Sequence, residues 1–219
     1  AKAYGWFALS QVWLAGVAMY IFARILGMRR GSAALAGFVY QGAQFLVISA
    51  AVFPMIAAAV VWLPLLLGSV ERVTTTVFGP VHLRHRAILW AVAGALALGC
   101  QILAGHAEFT YYTLLIMGLY ALWRVMSAGI AAHRNEGEVE SAAPLLNRPS
   151  PDPRRRTLRH TSLAFLWLFA MVASGLLLGA LQLVPLFEVG RLNFREGSAT
   201  FAEVRGWAFP PRNALNFLL

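Results

Sequence analysis

The sequence predicts an all-α membrane protein, a polytopic transmembrane helix bundle of about six membrane helices, from its hydropathy, its low charge content and its helix-length apolar segments. Hydrophobic residues make up 59% of the 219 positions, and charged residues make up only 12%. A soluble domain carries about 25% charged residues, so a soluble chain of this composition could not cover its own surface. The mean hydropathy of +0.66 therefore indicates that lipid surrounds the folded chain.

Six apolar segments, labelled A to F, approach the length of about 20 residues that a helix needs to cross a bilayer. Their bounds are about Tyr4–Phe22 (A), Ala33–Ala51 (B), Pro54–Val70 (C), Ala87–Ala104 (D), Phe109–Trp123 (E) and Ser162–Pro185 (F). Segments C and E are short, and the prolines and glycines of the chain favour a kinked, tilted or partly re-entrant path for them.

Lysine and arginine are distributed unevenly between the links that join these segments. Thirteen of the 18 basic residues fall in the A–B, C–D and E–F links, and the B–C and D–E links hold none. Because an excess of Lys and Arg marks cytoplasmic loops, the basic links are predicted to face the cytoplasm. The net charge of +9 thus reflects membrane topology and does not predict binding to nucleic acid.

The chain divides into four parts on this interpretation. Residues 1–134 hold transmembrane helices A to E, 135–160 form a cytoplasmic Pro/Arg-rich linker, 161–185 form transmembrane helix F, and 186–219 form an outer-side interfacial segment and the start of a further helix. The stretch from Asn135 to Pro153 lacks apolar periodicity and is expected to be disordered. Arg154, Arg155 and Arg156 either contact anionic lipid headgroups or simply anchor the topology. Since the sequence begins at Ala1 inside an apolar run, we expect an internal piece of a longer protein.

Motifs of soluble enzymes do not occur in the sequence. It contains no phosphate-cradling glycine loop, no Cys/His metal cluster and no GxSxG elbow. We therefore predict no cofactor, and a requirement for a divalent metal ion stays open. The lone cysteine, Cys100, is expected to be a small buried hydrophobe. Gln41, Gln44 and Gln101 are expected to form hydrogen bonds between helices.

The D–E link carries a first group of candidate binding residues at the outer side. Gly105 and His106 are followed by Glu108 and Tyr111. One interpretation is that Glu108 merely starts helix E, where a carboxylate suits the helix dipole. The other is a polar cluster at the mouth of a cavity, where His106 and Glu108 bind a hydroxylated substrate or share a proton.

The end of segment F carries a second group. Gln182 precedes Pro185, which is expected to end or kink helix F, and Glu188, Arg191 and Arg195 follow. On a continued helix the last three would share one face, where the arginines suit a phosphate group. The alternative is an interfacial amphipathic helix with an internal Glu–Arg pair.

Four stretches, in order along the chain, carry a family resemblance: Leu14–Tyr20 with Arg24 and Leu26-Gly27; Ala36–Tyr40, then Trp62–Leu67 with Glu71-Arg72; Ala104–Glu108; and Gly179–Pro185 with Glu188. The chain resembles the YfhO-like bacterial membrane proteins, within the GT-C fold glycosyltransferases, over most of its length except the E–F linker. The third stretch is similar to the family's Gly-His-Pro-Gln type turn, with Ala107 and Glu108 as departures. The fourth is similar to its Gln-Leu-x-Pro-x-x-Glu element.

The resemblance implies a multi-pass, GT-C-like glycosyltransferase of the bacterial cytoplasmic (inner) membrane, which transfers a sugar from a polyprenyl-phosphate donor on the non-cytoplasmic side. The implied partners are that lipid-linked sugar, membrane lipid and further membrane proteins. The usual catalytic carboxylate of such enzymes lies in the first outer loop, which would precede Ala1, so no catalytic residue is assigned. Two other classes stay open, namely a non-catalytic accessory subunit of a larger membrane complex and a transporter of a lipid-linked substrate.

The charge pattern makes a direct prediction about topology. Single cysteines at positions 29 and 106, in a Cys100→Ala background, should react with a membrane-impermeant thiol reagent from opposite sides of the membrane. The reason is that Arg29 lies in a basic link and His106 in a link without Lys or Arg. Labelling of both positions from the same side would contradict the assigned orientation.

Overall fold

A computed structural model describes residues 2–80, 85–142, 153–191 and 201–206, and these residues form helices and no strand. The helices are α1 Lys2–Ile25, α2 Arg30–Gln41, α3 Gln44–Val52, α4 Pro54–Val60, α5 Leu63–Phe78, α6 Arg86–Leu103, α7 Ala107–Ala142, α8 Pro153–Leu178, α9 Ala180–Arg191 and α10 Phe201–Gly206. The prediction of an all-α fold is thereby confirmed.

Within the described residues, five helical stretches are long and apolar enough to cross a membrane, and the number is six if one bent pair of helices counts as a span. The five are Lys2–Ile25, Pro54–Phe78, Arg86–Leu103, Ala107–Arg134 and Arg154–Leu178, and the bent pair joins Arg30–Gln41 to Gln44–Val52. They correspond in order to segments A, C, D, E, F and B. The chain is therefore a multi-pass helical membrane protein, as predicted.

Spans B and C are both interrupted, whereas the sequence favoured an irregular path for C and E. Helices α2 and α3 meet at an angle of 47° across Gly42 and Ala43, and Val61 and Trp62 separate α4 from α5. Segment C still forms one apolar stretch of 25 residues and segment E one of 28, because both continue beyond their apolar windows. Pro54 and Pro64 lie in the first turns of α4 and α5. Proline is tolerated there because the backbone N–H that it lacks would have no acceptor within the helix.

Helix ends also differ from the sequence-based bounds around the E–F linker. Helix α7 continues to Ala142 and α8 begins at Pro153, so 135–142 and 153–160 are helical although the sequence predicted a linker there. Residues 143–152 lie outside the described part of the chain. In segment F the helix breaks at Gly179, and Pro185 lies inside α9 instead of ending the helix.

Contacts between helix ends show that successive spans alternate in direction. At one end of the bundle, Arg72 of α5 lies over the ring of Trp90 of α6, and Phe78 of α5 packs edge-to-face on His160 of α8. At the opposite end, Gln101 of α6 bonds to Thr113 of α7. We call the first the basic end, since the arginine-bearing links lie there, and the second the outer end, after the side of the membrane that the sequence predicts for it.

Helix α5 is the centre of this arrangement and packs against α1, α6, α7 and α8. Its side chains Leu66, Val70, Val73 and Val77 are all fully buried. Cys100 is exposed on α6, and the expectation that it is buried was wrong. The side of α6 that packs inward carries Gly94, Ala97, Leu98 and Gln101, and Cys100 lies off that face.

Glycines set the spacing between neighbouring helices. A Cβ atom on Gly37 of α2 would lie 2.6 Å from the backbone oxygen of Gly16 in α1. Between α6 and α8, a Cβ on Gly94 would lie 2.2 Å from the sulfur of Met171, and one on Gly175 would lie 2.7 Å from Leu98. In lipid, helices associate through such close packing because burial of apolar surface provides little driving force.

The chain separates into two compact units, residues 1–182 and 183–219. The first holds α1 to α8 and the beginning of α9. In the second, the described residues form the rest of α9, through Arg191, and the short helix α10.

The contact between α1 and α2 predicts a difference between two glycines of one helix. Gly37→Ala should destabilise the folded protein by about 1–3 kcal/mol, because its new methyl group would clash with backbone that cannot rotate away. Gly31→Ala is the matched control, since nothing lies within 4 Å of its added Cβ, and it should be neutral or stabilising by up to about 1 kcal/mol. Thermal unfolding in detergent, followed by circular dichroism, measures both. Equal midpoints for the two variants would contradict the helix contact.

Candidate functional site

The turn between α6 and α7 depends on a glycine at the outer end of the bundle. Gly105 has φ +81°, a left-handed backbone conformation that residues with a Cβ rarely adopt. Its N–H donates to the carbonyl of Ile102 at 2.9 Å, and the N–H of Thr110 donates to the carbonyl of His106 at 3.3 Å. The chain therefore reverses within a few residues, and Glu108 enters the first turn of α7, where its charge suits the helix dipole.

The side chains after this turn form an aromatic and acidic surface. The half-buried ring of His106 packs edge-to-face on Phe109, with ring centres 4.8 Å apart. The hydroxyl of Tyr112 donates to Oε1 of Glu108 at 3.2 Å. Glu108 and Tyr111 are both exposed, and the ring of Tyr111 lies beside that of Tyr112. A carboxylate and an imidazole thus lie two residues apart in the chain, each in contact with an aromatic side chain.

Two glutamines stand next to this surface. Gln101 is fully buried, and its Nε2 donates to Oγ1 of Thr113 at 2.7 Å, so its predicted role as a hydrogen-bonding residue between helices is confirmed. Its Oε1 finds no hydrogen-bond partner among the described residues. Gln182 places its Nε2 3.7 Å from the position that a Cβ of Gly105 would occupy. Within the first unit, Gln182 therefore lies next to the turn that carries His106.

The remaining residues of the second group belong to the second unit. Glu188 is exposed on α9, and Arg191 is the last residue of that helix. Arg195 lies outside the described residues. A shared cavity between this group and the His106 turn stays a prediction.

A polar cluster at the basic end was missed by the sequence interpretation. Glu71 of α5 accepts two hydrogen bonds from the guanidinium group of Arg124 in α7, one on each carboxylate oxygen and each at 2.5 Å. The hydroxyl of Tyr120 donates to the same carboxylate at 2.9 Å, and its ring packs against Phe22 of α1. Glu71 is buried, and the side chain of Arg124 is 21% exposed.

The sequence does not reveal this ion pair, because each of the two apolar segments ends directly before the charged residue. The apolar windows of segments C and E end at Val70 and Trp123, which places Glu71 and Arg124 in the adjoining links. Both helices in fact continue, and the two charges meet between them. One signal was present, since Glu71 is the single acidic residue in the first 107 positions. A lone carboxylate beside an apolar helix requires a partner.

No group of three or more His, Cys, Asp or Glu side chains that could hold a metal ion occurs among the described residues. In comparisons with known proteins, the chain matches no family model, no curated protein and no solved structure.

The buried ion pair predicts that substitutions of Glu71 and Arg124 have non-additive effects on the free energy of unfolding. Glu71→Gln should destabilise the protein by about 3 kcal/mol, because it leaves the Arg124 charge without its partner. Tyr120→Phe, which removes a single hydrogen bond, should cost about 1 kcal/mol. The double variant Glu71→Met with Arg124→Met should be less destabilised than Glu71→Gln, because no charge remains uncompensated. Chemical unfolding in detergent measures all three, and a Glu71→Gln variant as stable as Tyr120→Phe would show that the pair contributes little.

Proposed function

We propose that this chain is a membrane glycosyltransferase-like protein that handles a polyprenyl-phosphate sugar at the outer side of the membrane. The observation that carries the proposal is the exposed Glu108 carboxylate at the outer end of the bundle, held by Tyr112 and flanked by His106. Sugars present hydroxyl groups, which a carboxylate binds as hydrogen-bond donors. The site would thus meet the sugar at the lipid headgroup level while the rest of the donor stays in the bilayer.

Each candidate residue has a chemical role in this proposal. Glu108 orients sugar hydroxyls or takes up a proton, and His106 is within two residues to share that proton. Tyr111 offers an exposed aromatic face, and Gln182 an amide close to the turn. Arg191 and Arg195 would offer guanidinium groups to the donor phosphate, for which their planar geometry is suited.

A transporter of a lipid-linked substrate is the second candidate, and the bent α2–α3 pair favours it. Transport proteins often bind substrate where a membrane helix is interrupted and backbone groups are free to make contacts. Gln41 and Gln44 flank the interruption, and Gln44 is exposed. Under this hypothesis, substitutions at Gln44 would impair movement of the lipid across the membrane, and those at Glu108 would have little effect.

Sugar transfer can be tested with Glu108→Gln in reconstituted vesicles supplied with a panel of polyprenyl-phosphate hexoses. We expect at least a tenfold loss of transfer and an unchanged unfolding midpoint, because the exposed Glu108 side chain contributes little to packing. Arg191→Ala should mainly raise the donor concentration that is needed for half-maximal transfer. Lys2→Gln changes a charge of α1 outside the candidate site and should keep wild-type transfer.

Two results would refute the proposal. One is wild-type transfer by both Glu108→Gln and Arg191→Ala. The other is the absence of transfer by the wild-type protein across the panel, together with movement of the lipid between leaflets, which would favour the transporter.

A further inference from the structure

At the basic end of the bundle, arginines outnumber the acidic side chains that the structure describes. The first 107 residues hold seven Lys and Arg residues and one acidic residue, Glu71. That carboxylate is already occupied by Arg124 and Tyr120. Among the residues that the structure describes, neither Arg72 nor Arg86 forms an ion pair, which leaves both guanidinium groups available to an anionic ligand.

Arg72 and Arg86 are positioned on the same side of the α5–α6 pair. Glu71 points into the bundle, and its neighbour Arg72 is exposed, with its guanidinium carbon 5.6 Å from the centre of the Trp90 ring. Arg86 is the exposed first residue of α6, one helical turn before Trp90 and therefore on the same face. Arg72 thus lies over the Trp90 ring, and Arg86 lies one turn away on the same face of α6.

The depth of this group matches the lipid headgroups. By helical rise, Arg72 lies about 27 Å along its span from Pro54, close to the full thickness of a hydrocarbon core of about 30 Å. Trp90 is a residue type that concentrates at this boundary, where its ring contacts lipid and its N–H stays near water. Trp123 lies next to Arg124 in α7 at the same end.

Apart from Glu71, the acidic side chain that the structure describes in the first unit is that of Glu108. Glu136, Glu138 and Glu140 lie on the extension of α7, and Glu136 is about 18 Å beyond Arg124 along the helix axis. Glu108 lies at the outer end of the bundle, across the membrane.

We infer that Arg72, Trp90 and Arg86 form a binding site for the phosphate group of an anionic phospholipid in the cytoplasmic leaflet. A guanidinium group can donate two parallel hydrogen bonds to two oxygens of one phosphate. The indole ring packs against the glycerol and the first methylenes of the lipid. A lipid phosphate fits better than free phosphate because the site lies at the membrane surface beside an aromatic residue. The site is independent of sugar transfer at the outer end.

The test is a titration of the full chain, in detergent micelles, with phosphatidylglycerol, followed by native mass spectrometry of the bound lipid. Arg86→Gln should weaken binding about fivefold, and Arg72→Gln with Arg86→Gln by more than tenfold, since each arginine near an anionic surface contributes a factor of about five. Arg134→Gln is the matched control, because Arg134 is an exposed arginine of α7 about 15 Å beyond Arg124. It should bind phosphatidylglycerol as the wild type does.

Three results would overturn the site. The first is equal binding of phosphatidylglycerol and the zwitterionic phosphatidylcholine by the wild-type protein. The second is an equal loss in Arg134→Gln, which would show a diffuse charge effect. The third is displacement of the lipid by millimolar inorganic phosphate, which would indicate a site for a free anion. Arg86→Gln keeps the test valid if the double variant does not fold, since Arg86 is exposed at a helix end.

Discussion

The ion pair between Glu71 and Arg124 joins the helices at the centre of this protein. Glu71 lies on α5, which packs against four other helices, and Arg124 lies on α7. Tyr120 links the pair to Phe22 of α1 through its ring. Because an uncompensated charge at the edge of a bilayer costs several kcal/mol, the pairing fixes how far α5 and α7 can slide or rotate past each other.

The same ion pair determines which charged side chain stays exposed on the surface of the bundle. With Glu71 occupied inside the bundle, Arg72 in the next position faces outward beside Trp90. The carboxylate of Glu71 thus neutralises Arg124 between the helices, while the charge of Arg72 stays exposed on the surface of the bundle at the same level. The outer end carries the opposite charge. The turn at Gly105 presents the carboxylate of Glu108, and no Lys or Arg lies between residues 87 and 123.

Glycine has a comparable role in the packing of α6 with α8 and of α1 with α2. The absence of a Cβ at Gly94, Gly175 and Gly37 lets side chains or backbone of the adjoining helix approach closely. This close packing stabilises the helix pairs in lipid. Soluble bundles are stabilised by the hydrophobic effect, which is weak here because lipid tails are as apolar as the helix surfaces. It also accounts for the exposed position of Cys100, which lies off the glycine-bearing face of α6.

The sequence by itself determined the class of fold, the number and order of the spans and the grouping of basic links, because hydropathy and charge act residue by residue. It also indicated the outer turn, since Gly105 before a helix-starting Glu108 is a local pattern. Only the tertiary structure decided which spans are interrupted, how far α5 and α7 extend, and that Glu71 meets Arg124. The contacts of Glu71 join residues 49 and 53 positions apart in sequence, and the partner of a lone charge at such a separation cannot be predicted from its sequence neighbours.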